Sequence, residues 1–433
     1  MKFSSNQSQF SAGTSNLPPL QELKQHIHSL LIDQIDLSRL ELLRSADLKR
    51  EISEVIEGLI VEEGVPLSGQ EKEQLVEEVL HETFGLGPIE PLLNSPDISD
   101  ILVNNCFSTY VERNGKLERT EVVFRDNKHL MQIIERIVTK VGRRIDESSP
   151  FVDARLPDGS RVNAIIPPLA IDGPVLSIRR FGTHALRMKN LLDLGTVDER
   201  LAALLEAAVK ARLNILICGG TGTGKTTLLN VISEFIPETE RIITIEDSAE
   251  LQLKQHHVVR LETRPANIEG SGQVTQRDLV RNALRMRPNR IILGEVRSGE
   301  ALDMLQAMNT GHDGSISTIH ANTTRDALSR LSTMVMMAGM DLPDRAIKEQ
   351  IASAINIIIH LVRFPDGTRR VVKLSEITGM EGDTIVMQDI FLFQQTGVDG
   401  DGKVLGQFNA TGVRPRFVER IAAYGLSLPA GMF

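Results

Sequence analysis

The run Gly219-Gly220-Thr221-Gly222-Thr223-Gly224-Lys225-Thr226 fits the pattern GxxxxGK[ST]. Glycines at this spacing let successive backbone N–H groups converge on phosphate oxygens without obstruction from Cβ atoms. A helix beginning at the end of the loop adds its partial positive charge. In such a loop Lys225 reaches the β and γ phosphates, the Thr226 hydroxyl ligates magnesium, and Thr227 completes the nucleotide-binding set. The flanks have the required order: the apolar run Leu213 to Cys218 predicts a strand, and Leu228, Leu229, Val231 and Ile232 predict a helix.

Three further strand ends carry groups that a nucleotide hydrolase needs. Arg290 to Leu293 runs into Gly294-Glu295-Val296-Arg297, which delivers Glu295 to the carboxyl edge of a sheet; most P-loop enzymes carry Asp at this Walker B position. The longer Glu side chain still holds magnesium through the ion's water shell. Arg241 to Ile245 presents Glu246 and Asp247, with Glu250 shortly after. We assign Glu246 to orient or deprotonate the attacking water, and Asp247 and Glu250 to organise the loop or touch magnesium. The stretch Thr310-Gly311-His312-Asp313-Gly314-Ser315 leads through Ile316 to Ile319 into His320-Ala321-Asn322. A neutral imidazole donates one hydrogen bond and accepts another, so His320 is suited to sensing the γ phosphate. Taken singly, each group has a plainer reading as a strand-end acid, a turn cap or a structural histidine; the full set points to ATP hydrolysis with magnesium.

Composition narrows the class of work. With 433 residues the chain exceeds one ordinary domain. A formal charge of -9, no Trp and only two Tyr argue against nucleic acid as a partner, since phosphate backbones call for a basic excess and single strands for stacking platforms. Cys106 and Cys218 are the only cysteines, too few for a tetracysteine zinc module, and zinc is not expected. Neither a signal peptide nor a stretch of about 18 apolar residues is present, so a cytoplasmic protein that meets a membrane through partners is expected.

Periodicity then supplies the elements that must position these groups. Residues 1–18 read as a disordered polar tail, and residues 19–83 as a helical region in which Ile27, Leu30, Leu31, Ile35, Leu40, Leu43, Ile52, Val55, Ile56 and Leu59 recur mostly every three or four positions. Residues 84–181 read as a small α+β domain with strands at Ile101 to Val103, Thr109 to Glu112 and Glu121 to Phe124, a helix around His129 to Val141, and a hairpin at Asp158-Gly159. Residues 182–195 carry little periodicity and are expected to be a hinge. Residues 196–433 alternate strands and helices, which predicts an α/β, RecA-like P-loop motor domain. After Arg363 strands are expected at Arg369 to Leu374 and Ile385 to Phe393, then a Gly- and Asp-rich loop and a last helix near Pro415 to Tyr424.

The loop around Lys225, the acids at Glu246 and Asp247, the Glu-type Walker B at Glu295 and the histidine box at His320 together resemble the type II/type IV secretion ATPase superfamily. Within it, the run Arg277 to Pro288 and the stretch Thr310 to Asn322 resemble the CpaF or TadA family of tight-adherence (Flp) pilus ATPases, over roughly residues 84–375. The resemblance implies a homo-hexamer that hydrolyses ATP and passes motion to inner-membrane pilus platform proteins. It also implies that arginines of the N-terminal domain approach the γ phosphate. Arg161 and Arg179 match those positions, with Arg155 and Arg180 as rivals. The traffic ATPase of a type IV secretion apparatus shares the motifs; a DNA-translocating RecA-like motor and a nucleotide-gated scaffold are more distant alternatives.

Overall fold

The computed structural model describes residues 19–34, 46–113, 115–181, 186–266 and 271–433. The tail expected over 1–18 and the apolar positions Ile35, Leu40 and Leu43 lie outside them. The chain divides into two compact units, residues 1–181 and 182–433.

The first unit opens with α1 (Pro19–Gln34), α2 (Ala46–Glu62) and α3 (Gly69–Phe84). Apolar residues every third or fourth position place Leu23, Ile27 and Leu31 against Ile52, Ile56, Leu59, Leu75 and Val79 in one buried cluster. Ser68 and Glu71 close a reciprocal capping box that fixes where α3 begins. After α4 (Glu90–Asn94) come β1 (Ile98–Asn105), β2 (Ser108–Arg113), β3 (Lys116–Arg119), α5 (Asn127–Lys140), β4 (Phe151–Arg155), β5 (Arg161–Ile165) and β6 (Val175–Arg179). The six strands form one antiparallel sheet in the order β3-β2-β1-β6-β5-β4. Leu130, Ile133, Ile134 and Ile137 of α5 share a core with Ile101, Val103, Val162 and Ile178 of the sheet. Glu82 of α3 pairs with His129 Nε2, and Arg136 Nη1 donates to the carbonyls of Glu82 and Gly85, tying α3 to α5.

The strand expected at Glu121 to Phe124 is not formed; the third strand lies earlier, at Lys116–Arg119. All four of its residues are exposed, so no apolar alternation marks it. Phe124 is buried instead as a plug: its N–H donates to the Cys106 carbonyl at 2.7 Å and its ring meets His129 edge-on.

In the second unit the stretch read as aperiodic contains α6 (Met188–Asp193). Then follow α7 (Glu199–Lys210), β7 (Ile215–Gly219), α8 (Lys225–Ser233), β8 (Ile242–Glu246), β9 (Val258–Glu262), α9 (Gln276–Ala283), β10 (Arg290–Val296), α10 (Glu300–Asn309), β11 (Ile316–His320), α11 (Thr324–Met337), α12 (Asp344–Ala354), β12 (Ile357–Arg363), β13 (Arg369–Glu381), β14 (Thr384–Val398), β15 (Val404–Ala410) and α13 (Phe417–Ala423). Nine strands build one sheet in the order β15-β14-β13-β12-β7-β11-β10-β8-β9. The six from β12 to β9 run parallel and the last three in sequence add on antiparallel. Strand β7 alternates between two cores. Ile215 and Ile217 join Leu204, Leu205, Leu228 and Ile421, whereas Leu216 and Cys218 join Leu305, Leu331 and Ile351. Both faces of the sheet are therefore covered, as parallel strands require.

The base of the central strands is held by one amide. Asn214 Oδ1 accepts from the Gly314 and Ser315 N–H groups at 2.7 and 3.0 Å, and its Nδ2 donates to the Ala354 carbonyl at 2.7 Å. Its backbone N–H donates to Asn356 Oδ1 at 2.9 Å. The lower ends of β11, β7 and β12 are thus joined before their upper ends diverge into loops.

Candidate active site

The glycine-rich loop leaves β7 and enters α8 as the spacing predicts. Gly222 and Gly224 adopt φ of +71° and +93°, left-handed values that side chains disfavour. A Cβ at Gly219 would lie 2.6 Å from the Leu361 carbonyl, so β12 fixes that residue as glycine by contact. Thr223 Oγ1 donates to the Gly220 carbonyl at 3.0 Å, which turns the loop back on itself. Thr221 and Thr227 are exposed at its rim, and Thr226 is half-buried in the first turn of α8.

Around this loop the carboxyl ends of β7, β11, β10 and β8 bring the expected groups together. Lys225 Nζ lies 2.8 Å from the Gly220 carbonyl and 3.4 Å from His320 Nε2. The same His320 nitrogen is 3.1 Å from Glu295 Oε1. Burial, then the charge of Lys225, keeps the His320 pKa below its ordinary value. Its Nε2 in the neutral form donates to Glu295 or accepts from Lys225, and cannot do both.

Glu246 is 3% exposed. Its Oε2 accepts from the backbone N–H groups of Glu250 and Leu251 at 2.7 and 3.1 Å, so one oxygen shapes the following loop. Oε1 is buried and meets no hydrogen-bond partner among the described residues. Burial raises the carboxyl's pKa against the lowering effect of those two N–H groups, a direction that suits a proton acceptor. The side chain lies over Gly294, where a Cβ would come within 2.9 Å of Glu246 Cγ.

Arg161 and Arg179 belong to the first unit. They face each other across β5 and β6, and Arg155 faces Arg161 across β4 and β5, so three arginines stand in one row on one face of that sheet. Arg179 has Asp100 within 3.9 Å and is largely exposed. Arg180 is committed elsewhere, donating to the carbonyls of Ser95 and Ile98.

Several contacts at the site were not legible in the sequence. Arg369 Nε donates to the Gly222 carbonyl at 2.8 Å, and a Cβ on Gly222 would lie 3.3 Å from Arg363 Nη1, so the β12–β13 turn flanks the phosphate loop from 147 residues away. Arg297 bridges Asp247 and Glu295 at 3.2 and 2.9 Å. A cavity of about 480 Å³ opens beside the loop, lined by Gly220, Thr221, His320, Asn322, Asp326 and Arg330. Only Arg297 had a local signal, its place two residues after Glu295.

Among the described residues no group of three or more His, Cys, Asp or Glu side chains forms a metal cage. Magnesium on nucleotides needs none, since phosphates and water supply most of its ligands. The Thr226 hydroxyl and the Glu295 carboxylate, the latter 3.1 Å from His320, are hard oxygen donors that fit the ion.

A parallel sheet covered on both faces, with a phosphate loop at its carboxyl edge and acids on the neighbouring strands, defines a P-loop protein with a RecA-like α/β core. The family model described as "Type II/IV secretion system protein" matches residues 82–400, and the chain belongs to that family. A second, "Type II secretion system protein E, N-terminal domain", matches residues 20–83. A putative conjugal transfer protein of Mycobacterium tuberculosis is 38% identical over 307 residues, covering 70% of this chain and 87% of its own length. The type IV secretion system protein VirB11 of Brucella suis is 32% identical over 328 residues, covering 69% and 90%. The crystal structure of the VirB11 ATPase from Brucella suis in complex with sulphate shares 30% identity over 70% of this chain and 96% of that one, with a TM-score of 0.36.

Proposed function

We propose that this protein is a magnesium-dependent ATPase that powers assembly of a tight-adherence (Flp) pilus. In this reading it works as a homo-hexamer on the cytoplasmic side of the inner membrane, against platform proteins. The observation that carries the ATPase reading is the convergence at the mouth of the glycine loop of Lys225, 3.4 Å from His320, and of Glu295, 3.1 Å from the same His320 nitrogen.

In this reading the backbone N–H groups from Gly219 to Thr227 and the Lys225 ammonium bind the phosphate tail. Thr226 and Glu295 would hold magnesium, which would supply charge neutralisation for the phosphate tail. Glu246 takes the proton of the attacking water on Oε1, its oxygen that has no hydrogen-bond partner among the described residues. Arg161 and Arg179 stabilise charge on the transferred phosphoryl group. Arg161 and Arg179 stand directly opposite each other on β5 and β6, with Asp100 opposite Arg179 on β1, and two adjacent guanidinium groups suit an anionic target.

A second reading, the traffic ATPase of a conjugal or type IV secretion apparatus, is supported by the names of the relatives. Capture of the intact protein from membranes separates the two by what accompanies it: a polytopic pilus platform protein for the first, secretion-channel components for the second. The ATPase reading itself is tested with Lys225→Ala and Glu246→Gln. Lys225→Ala is expected to lose ATP binding and turnover together, and Glu246→Gln to keep binding and lose turnover. Full hydrolysis by the Gln variant removes Glu246 from the catalytic role.

A further inference from the structure

We propose that Arg297 is a positioning residue that holds the acids of β8 and β10 as one unit, an inference that rests on the ATPase reading of the site. Asp247 follows β8 and Glu295 lies near the end of the adjacent parallel strand β10, so their carboxylates emerge side by side at one sheet edge. The Arg297 guanidinium spans them, Nη1 at 3.2 Å from Asp247 Oδ2 and Nη2 at 2.9 Å from Glu295 Oε2. A planar fork is suited to serving two carboxylates at once, which a lysine ammonium cannot do with the same geometry.

The arginine is itself fixed. The buried Glu300 accepts from the backbone N–H groups of Arg297 and Ser298 at 2.6 and 2.7 Å, which sets the turn between β10 and α10. Both oxygens of Glu295 are thereby engaged by nitrogen groups, Oε1 by His320 and Oε2 by Arg297. Asp247 continues the chain toward β9, with Thr263 Oγ1 donating to its carbonyl at 3.2 Å. The result is a line of contacts from His320 through Glu295 and Arg297 to Asp247. Arg297 sets the direction of the Glu295 carboxylate from the turn between β10 and α10, outside the glycine loop.

The test compares full-length wild type with Arg297→Gln, Arg297→Lys, Asp247→Asn and the double variant Arg297→Gln/Asp247→Asn. ATP turnover, affinity for a fluorescent ATP analogue, and the magnesium concentration that half-saturates analogue binding are measured for each. Arg297→Gln is expected to lower kcat by about 10- to 100-fold, the scale of a misplaced catalytic group. Its affinity for the analogue stays within about threefold, and its half-saturating magnesium concentration rises by about threefold or more. Arg297→Lys recovers only part of the loss, and the double variant is no worse than the poorer single, as for residues acting as a unit. Wild-type kcat and magnesium dependence in Arg297→Gln overturn the proposal. So does a double variant whose loss is the product of the single losses, and so does analogue affinity falling as far as turnover, which makes Arg297 a nucleotide ligand. Wild-type protein that does not bind the analogue overturns the ATPase reading instead, before any variant is compared.

Discussion

Gly294 shows how finely the candidate base is placed. Its missing side chain makes room for Glu246, whose Cγ would sit 2.9 Å from an added Cβ, closer than real Cβ atoms tolerate. Gly294→Ala is therefore expected to move the carboxyl and cut turnover by at least about tenfold while ATP affinity changes by less than about threefold; steady-state kinetics beside analogue titration checks it. At this scale the sequence is most informative where a group's partners are its chain neighbours. The loop from Gly219 to Thr226 is legible because its function is written in consecutive residues. The pairing of Arg297 with Asp247, 50 residues away, and of Arg369 with Gly222 is not, since strand order decides which ends become neighbours.

At the scale of elements, one buried ion pair joins pieces that the apolar pattern does not connect. Arg290 is 0% exposed; its guanidinium lies 2.6 Å from Glu240 and donates to the carbonyls of Val209 and Gly314. The start of β10, the end of α7 and the turn before β11 are thus held by one side chain. Glu240→Ala leaves that charge buried with no carboxylate partner in this pair and is expected to cost about 3–5 kcal/mol in a denaturant titration. An ordinary surface acid would cost under about 1 kcal/mol. The helices with strong apolar stripes, such as α5, stood out in the sequence, because each buries one face. Strands β3 and β15 did not: β3 is wholly exposed, and β15 follows a Gly- and Asp-rich turn with Leu405 exposed, so neither alternates cleanly. The segment after Arg363 brings Arg369 to the glycine loop, beside Arg363 at the end of β12.

Over the whole molecule, two histidines make stability depend on pH in the same direction. Burial holds the imidazoles of His28, in the first unit, and His360, in the second, below their ordinary pKa, with Lys373 adding to the effect at His360. The unfolded chain takes up these protons first, near pH 6.5. The stability each contributes is therefore complete above about pH 6.5 and is lost as pH falls below it toward the folded values. Thermal unfolding is expected to show a lower midpoint at about pH 5.5 than at about pH 7.5, with a smaller difference in a His28→Gln/His360→Gln variant. The clamp at Asn214 has a mechanical consequence. Three strands soldered at one end behave as tines of a single fork, so a push on the tip that carries His320 is felt at the tip that carries the glycine loop and at the one that carries Arg363. Stiffness at the root turns a local displacement beside the glycine loop into a shared one.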